Sequence, residues 1–164
     1  MSIYEISFVV LHHQLIYNPP LQNSFLMTIE GPLIRYIGER KYTVDRIVPL
    51  FKAIESVYRE YIFDWIEVQA NCILSLNKVD GIGSKVSSNK EIVFVEVSRG
   101  PENTVLKHVR EDTEKLIKES MFGLVALLRD FLDRNAENAR NICTYMVHCI
   151  GKQLLLLYTL ISFE

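Results

Sequence analysis

The spacing of hydrophobic residues changes along this chain, and this change limits the possible folds more than any other feature. Two-residue alternation dominates near the start and again around residues 70–98, whereas a period of about 3.6 residues dominates elsewhere and fills the last third. Alternation is typical of strands with one buried face, and the longer period is typical of helices. The sequence therefore predicts an α+β fold, with a mostly antiparallel sheet of roughly four strands packed by about three long helices.

Strands are predicted near the start of the chain and in its middle. They cover residues 3–11, 24–29, 70–76 and 91–98, and the pattern also allows a further strand over 33–37 after the break at residues 31–32. The strand over 91–98 is the strongest, because a Val-rich run suits a pleated, half-buried surface. Residues 80–90 are polar and contain several glycines and serines, so they predict the long tip of a hairpin between the last two strands.

Helices are predicted where apolar residues recur at helical spacing. They span Thr43–Trp65, Glu102–Asp133 and a final segment that begins near Ala139 and includes Ile161. Pro49 either marks the first turn of the first helix or kinks that helix. The final helix is apolar almost all round after Gly151, which is typical of a helix at the centre of a core or at a subunit interface.

Length and composition predict one domain, residues 1–164, whose core needs no disulfide or metal ion. The formal net charge is only −2, and the three cysteines form no CxxC pair, which favours a reducing, cytoplasmic compartment. The N-terminus lacks the basic region of a signal peptide. The candidate membrane segment, residues 143–163, contains His148 and Lys152, so we expect a buried helix there and no membrane span.

No catalytic or metal-binding motif stands out. Residues 81–85 are rich in glycine, but their spacing differs from that of a phosphate-binding loop, and a strand follows where a helix is needed. His12 and His13 are adjacent in a predicted strand, so they point to opposite faces and are poorly placed to share one metal ion. No serine lies in a strand–turn–helix nucleophile motif. We therefore predict no metal site, no cofactor and no enzymatic activity.

A nucleic-acid partner is also not predicted. The basic residues of the second long helix are Lys107, His108, Arg110, Lys115 and Lys118. Acidic residues lie among them, namely Glu111, Asp112, Glu114 and Glu119. This mixture cancels the long-range positive field that phosphate binding requires.

These observations predict a non-catalytic module that binds another protein. Small cytoplasmic bacterial inhibitors, such as immunity proteins that neutralise a cognate toxin, have this size and character. Two charged patches are the predicted contacts, because charged residues at a rim select the partner. The first patch is Asp80, Lys85, Lys90, Glu96 and Arg99, and the second is Asp130, Asp133, Arg134 and Glu137.

Two other functions stay open. One is a small enzyme whose site is assembled from residues distant in sequence, with His12 or His13 near Glu30, or His108 near Asp112, as candidates. A deep pocket lined by a histidine and a carboxylate favours that hypothesis. The other is a structural homodimer formed through the final helix, because an over-hydrophobic helix often lies at an interface.

Overall fold

The computed structural model describes residues 38–70, 78–98, 105–130, 142–151 and 153–160. Over these residues the chain forms a five-stranded mixed sheet with helices on both faces. Helices α1 (Glu39–Tyr42) and α2 (Val48–Tyr58) cover one face and are joined by π-helical turns over Thr43–Ile47. Helix α3 (Leu106–Arg129) covers the other face.

The strands lie in the sheet in the same order as in the sequence. They are β1 (Tyr61–Gln69), β2 (Lys78–Lys85), β3 (Lys90–Ser98), β4 (Cys143–Ile150) and β5 (Gln153–Leu160). Neighbouring strands are antiparallel except β3 and β4. These two are parallel because α3, which follows β3, returns the chain to the end of the sheet at which β3 begins. The α+β class is therefore confirmed, although the sheet has five strands where about four were predicted.

Because side chains alternate along a strand, the strand residues pack into two cores, one on each face of the sheet. Val95 and Val97 of β3 pack against the first core, with α2, and Phe94 packs against the second, with α3. The first core is Tyr42, Ile47, Leu50, Phe51, Phe63, Val95, Val97, Val147 and Cys149. The second is Ala70, Val79, Ile82, Phe94, Leu116 and Met146.

Two predicted elements are present with small changes in their ends. The strand predicted over 91–98 is β3, and the helix predicted over 102–133 contains α3, which continues through Gly123 without a break. The strands predicted over 3–11, 24–29 and 33–37 lie outside the described residues, as do residues 71–76 of the strand predicted over 70–76.

The predicted final helix is wrong, because residues 143–160 form strands β4 and β5. Gly151 has a φ of 59° in the turn between them, a conformation that glycine adopts without strain. Strand β4 is buried along most of its length, and the edge strand β5 is apolar although half-exposed, so together they give an apolar run that hydrophobic periodicity alone does not separate from a buried helix. The homodimer predicted through this segment therefore loses the helix that suggested it, and the homodimer itself stays a prediction. No helix in the described part of the chain is long and apolar enough to cross a membrane.

The first long helix is shorter than predicted. It ends at Tyr58, where Arg59 takes a left-handed φ of 47°, and residues 61–65 belong to β1. Pro49 is the second residue of α2 and closely follows the π-helical turns over Thr43–Ile47, so it lies within a longer helical run whose hydrogen-bond pattern changes just before it.

The predicted hairpin tip is also much shorter, because residues 80–85 belong to β2 and only 86–89 form the turn. Gly81 and Gly83 lie under aromatic rings: a Cβ atom would stand 2.7 Å from Trp65 at Gly81 and 2.6 Å from Phe63 at Gly83. These glycines therefore serve the packing of β1 on β2, where glycine lets a neighbour approach closely.

Candidate functional site

One end of the sheet, beside the first half of α3, forms a cavity of about 390 Å³. Its walls come from α1, from β1, β2 and β3, and from α3. The ionisable lining residues are the acids Glu39, Glu67, Asp80, Glu96 and Asp112, the lysines Lys78 and Lys115, and His108. Even with Glu96 protonated, four acids face two lysines, so the lining carries net negative charge, which favours a cation.

Asp80 and Glu96 lie side by side at the centre of this cavity. The register pairs Gly81 of β2 with Val95 of β3, so the next positions outward bring these two carboxyl groups to the same face of the sheet. The backbone N–H of Val97 donates to Oδ2 of Asp80 at 2.8 Å and so fixes the orientation of that carboxyl group. Glu96 is almost fully buried, at 3% exposure.

Burial is the main reason that the pKa of both carboxyl groups is raised. For Glu96 the neighbouring charge of Asp80 adds to the effect of burial, and the pKa rises to about 8. For Asp80 the shift is also upward, although the N–H of Val97 opposes it. Two carboxyl groups this close disfavour each other's ionisation. Positive charge between them would remove that penalty.

Lys115 supplies part of that charge from α3. Its Nζ forms an ion pair with Oε1 of Glu96, and its side chain stays 30% exposed. His108, Asp112 and Lys115 are four and three residues apart, so helical geometry turns all three toward the cavity. The lysine lowers the pKa of both Asp80 and Glu96, but less than burial raises it. The pKa values of both carboxyl groups therefore stay raised despite Lys115, and further positive charge nearby would lower them.

A chain of hydrogen bonds runs from Asp112 into the interior between α3 and the sheet. The hydroxyl of Ser98 donates to Oδ2 of Asp112 at 2.5 Å, and its oxygen lies 2.6 Å from Nε2 of His148. Nδ1 of His148 lies 3.3 Å from Oγ1 of Thr113, whose hydroxyl donates to the carbonyl oxygen of Val109. Burial lowers the pKa of His148, so the neutral imidazole is favoured.

These three residue types also occur in serine hydrolases, but the arrangement here differs from a nucleophilic triad. In a triad, the acid holds the imidazole nitrogen that faces away from the serine. Here the acid bonds to Ser98 itself, and the far nitrogen of His148 faces Thr113. Ser98 is only 2% exposed, so no substrate reaches it. Ser98 is therefore not a nucleophile here, and the chain of hydrogen bonds holds the carboxyl group of Asp112 in place.

A strained bulge in β1 forms the rim of the cavity. Ile66 and Glu67 have φ values of 75° and 51°, which are costly for residues with a Cβ and rare for a β-branched one. The register between β1 and β2 shifts at this point. The bulge brings Glu67 to the cavity, where it forms ion pairs with Arg40 and with Lys78, the second at 3.9 Å. Bulges often re-aim a side chain next to an active site.

The predicted partner-binding residues are divided between the two ends of the sheet. Asp80 and Glu96 line the cavity, whereas Lys85 and Lys90 lie at the far ends of β2 and β3. Asp130 follows α3 and forms an ion pair with Lys90 at 2.9 Å. The other four, Arg99, Asp133, Arg134 and Glu137, lie outside the described residues. Their role in binding a partner stays a prediction.

The alternative enzyme hypothesis named one pair that the cavity brings together, because His108 and Asp112 both line it. His12, His13 and Glu30 lie outside the described residues. Sequence reasoning missed the pairing of Lys115 with Glu96 and any role for Ser98 and His148. One signal was available: Glu96 interrupts a run of valines, where a charged residue is expensive to bury.

Comparison with known proteins finds no relative of this chain. No family model, no curated protein and no solved structure matches the chain. The chemistry of the cavity is therefore the basis of the functional argument.

Proposed function

We propose that this protein is a divalent-cation-dependent hydrolase of phosphodiesters. The observation that carries the proposal is the cavity in which β2 and β3 hold Asp80 and Glu96 together, with the ammonium group of Lys115 on Glu96. The enzyme hypothesis required a cavity lined by a histidine and a carboxylate, and His108 and Asp112 supply both. The proposal departs from the sequence-based predictions of no enzymatic activity, no cofactor and no nucleic-acid partner.

The donor set fits a hard cation such as Mg²⁺. In the described part of the chain, no group of three or more His, Cys, Asp or Glu residues is arranged to hold a metal ion alone. Mg²⁺ does not need such a group, because it usually binds through one or two carboxylates and keeps several waters, with substrate phosphates completing its shell. Asp80 and Glu96 are such a pair, and a cation bound between them would favour the ionised forms that burial disfavours.

The residues of the cavity suit phosphoryl chemistry in particular. A bound cation supplies a water of lowered pKa and positive charge for the phosphoryl oxygens. Asp80 and Glu96 fix the position of that charge. The ammonium group of Lys115, which lies beside Glu96, would neutralise the negative charge that develops on a phosphate oxygen. Asp112 accepts a hydrogen bond from the attacking water.

The proposed reaction balances with water alone. The oxygen of water forms a bond to phosphorus while the bond from phosphorus to the leaving oxygen breaks. One proton passes from the attacking water to solvent, and another reaches the leaving oxygen, so the products are a phosphate monoester and an alcohol. Lys78, whose side chain is 57% exposed at the rim, suits a second phosphate of the same strand, which favours a nucleic acid as the diester.

Nuclease assays with matched variants test this proposal. The purified protein is incubated with linear DNA, with single-stranded RNA and with bis(p-nitrophenyl) phosphate, in Mg²⁺, in Mn²⁺ or in EDTA. We expect cleavage of at least one polymer that requires the cation and falls by about 10²-fold or more in Asp80→Asn, Glu96→Gln and Lys115→Met.

The controls lie on the same helix but on its exposed side. Glu114→Gln and Lys118→Met each remove one charge without touching the cavity, so they should retain the wild-type rate. Cleavage in EDTA, equal loss in the controls, or no hydrolysis of any of the three substrates would contradict the proposal.

A further inference from the structure

We propose that Ser98 and His148 are positioning residues that hold the carboxylate of Asp112 in the orientation needed at the cavity. This inference rests on the proposed function, since Asp112 matters only if the cavity holds a reacting water. It assigns a role to a buried histidine and a buried serine that have no contact with substrate. Both are fully enclosed between β3, β4 and α3, at 2% exposure or less.

The number of available protons fixes the direction of the hydrogen bonds. An ionised carboxylate only accepts, so the single proton of Ser98 goes to Oδ2 of Asp112. The oxygen of Ser98 then accepts from His148, which requires the imidazole to carry its proton on Nε2. The hydroxyl of Thr113 donates elsewhere, to Val109, and its 3.3 Å contact with Nδ1 is the longest in the chain. The neutral Nε2–H tautomer supplies the proton for the contact with Ser98. It places no proton between Nδ1 and Oγ1 of Thr113, so that 3.3 Å contact is not a hydrogen bond while Thr113 donates to Val109.

This arrangement has a direct consequence for the cavity. With Oδ2 held by Ser98, Oδ1 of Asp112 is the oxygen that remains to accept a hydrogen bond from water in the cavity. The parallel pairing of β3 with β4 places His148 beside Glu96, one of the two carboxyl groups proposed to hold the cation. Small displacements of a group that orients a reactant lower reaction rates strongly, even without loss of binding.

A double-mutant cycle with a matched control tests this role. Ser98→Ala and His148→Met should each lower kcat by about ten-fold or more, with less than a three-fold change in the cation concentration at half-maximal rate, because Asp80 and Glu96 are intact. His148→Gln keeps an N–H donor near the position of Nε2 and should recover most of the rate. In an Asp112→Ala background, Ser98→Ala should cost no further activity, because Ser98 acts through Asp112.

Ser120→Ala is the control for a purely structural effect. Ser120 is a fully buried serine in the same layer, bonded to Thr144 at 2.8 Å and Thr159 at 2.7 Å, and it lies outside the cavity. It should lose stability like Ser98→Ala but keep its kcat. Equal kcat losses in Ser98→Ala and Ser120→Ala, or additive losses in the Asp112→Ala background, would overturn the inference.

The tautomer of His148 gives a readout that does not depend on activity. Nitrogen-15 NMR of the imidazole should show the proton on Nε2 in the wild type. A proton on Nδ1 would overturn the positioning role even in an active enzyme. A wild-type protein that hydrolyses no phosphodiester would instead refute the proposed function, while the tautomer still decides whether His148 supports Asp112.

Discussion

The two faces of strands β3 and β4 differ sharply in what they bury. Toward α2 they present Val95, Val97, Val147 and Cys149, which belong to a cluster of buried aliphatic and aromatic side chains. Toward α3 the same strands present Phe94 and Met146, but also Glu96, Ser98, Thr144 and His148, all nearly inaccessible to solvent. The two faces alternate residue by residue, so neighbouring positions in one strand belong to different environments.

This difference gives the two faces different roles in stability and in the proposed function. Burying a polar group costs free energy unless its hydrogen bonds are replaced, and burying a charge costs more. The apolar face has no such cost, so we assign to it most of the stability of the fold. The polar face meets part of the cost with hydrogen bonds and ion pairs, and burial raises the pKa of Asp80 and Glu96, which shifts both carboxyl groups toward the protonated form.

Truncation of the apolar face should have the largest effect. Phe51 is 4% exposed, and its ring centroid lies 4.8 Å from that of Phe63 and 5.1 Å from that of Trp65. Phe51→Ala should lower the free energy of unfolding by about 3–5 kcal/mol, measured by urea denaturation. Val57→Ala, on the exposed side of α2, is the control and should cost less than about 1 kcal/mol. Similar losses in the two variants would contradict a core on this face.

The polar face should make stability depend on pH. Because the folded-state pKa of Glu96 is raised to about 8 from its usual 4.5, the folded state binds more protons than the unfolded state between these values. Its contribution is therefore complete at low pH and is lost as the pH rises toward 8, by on the order of 4 kcal/mol. Asp80 shifts in the same direction. Urea denaturation across this range should show the decline.

Glu96→Gln should flatten that decline, because its side chain does not titrate. At pH 8 this variant should unfold at a higher urea concentration than the wild type without added cation. Millimolar Mg²⁺ should stabilise the wild type at pH 8 and leave the variant nearly unchanged. A wild-type protein whose stability rises from pH 5 to pH 8 would contradict the account of the polar face.

Glycine substitutions compare the packing of the two faces directly. A Cβ at Gly83 would lie 2.6 Å from the ring of Phe63 and 2.9 Å from Val93, and one at Gly123 would lie 2.7 Å from the ring of Phe94. Gly83→Ala should cost about 2–3 kcal/mol from overpacking. Gly123→Ala should cost about 1 kcal/mol less, because alanine favours the helix. Thermal unfolding measures both, and a stabilising Gly83→Ala would show that β1 moves away freely.

The smallest effect is expected far from both faces. Lys90 and Asp130 form an ion pair at 2.9 Å with both side chains substantially exposed. Lys90→Ala should cost about 0.5 kcal/mol or less and leave hydrolysis unchanged. A large loss of activity in this variant would mean that the site extends along the whole of β3.

Sequence reasoning found the fold class because β3 and α3 have unmistakable patterns. It failed for residues 143–160, where two strands with many apolar residues on both faces imitate a helix, and the turn at Gly151 is the one interruption. It also placed the end of α2 too late, because Tyr61 and Trp65 fit helical spacing as well as alternation. Short apolar runs carry this ambiguity in any sequence.

The site was harder to predict from the sequence than the fold. Asp80 and Glu96 were chosen from the sequence, but as exposed contacts for a partner, whereas the register of β2 and β3 brings them into one cavity. Lys115 is 19 residues from Glu96, and no local pattern links the two. Such a pairing depends on how α3 packs over β3, which is a tertiary contact. His148 in an apolar run was visible, and its bonding to Ser98 was not.

Calorimetric titration of the wild-type protein with Mg²⁺ and Mn²⁺ at pH 7, in buffers of different ionisation enthalpy, tests the central claim most directly. The account predicts saturable binding of one cation with release of about one proton, because Glu96 holds a proton that the cation must displace. Absence of binding at millimolar cation, or binding without proton release that is unchanged in Glu96→Gln, would contradict it.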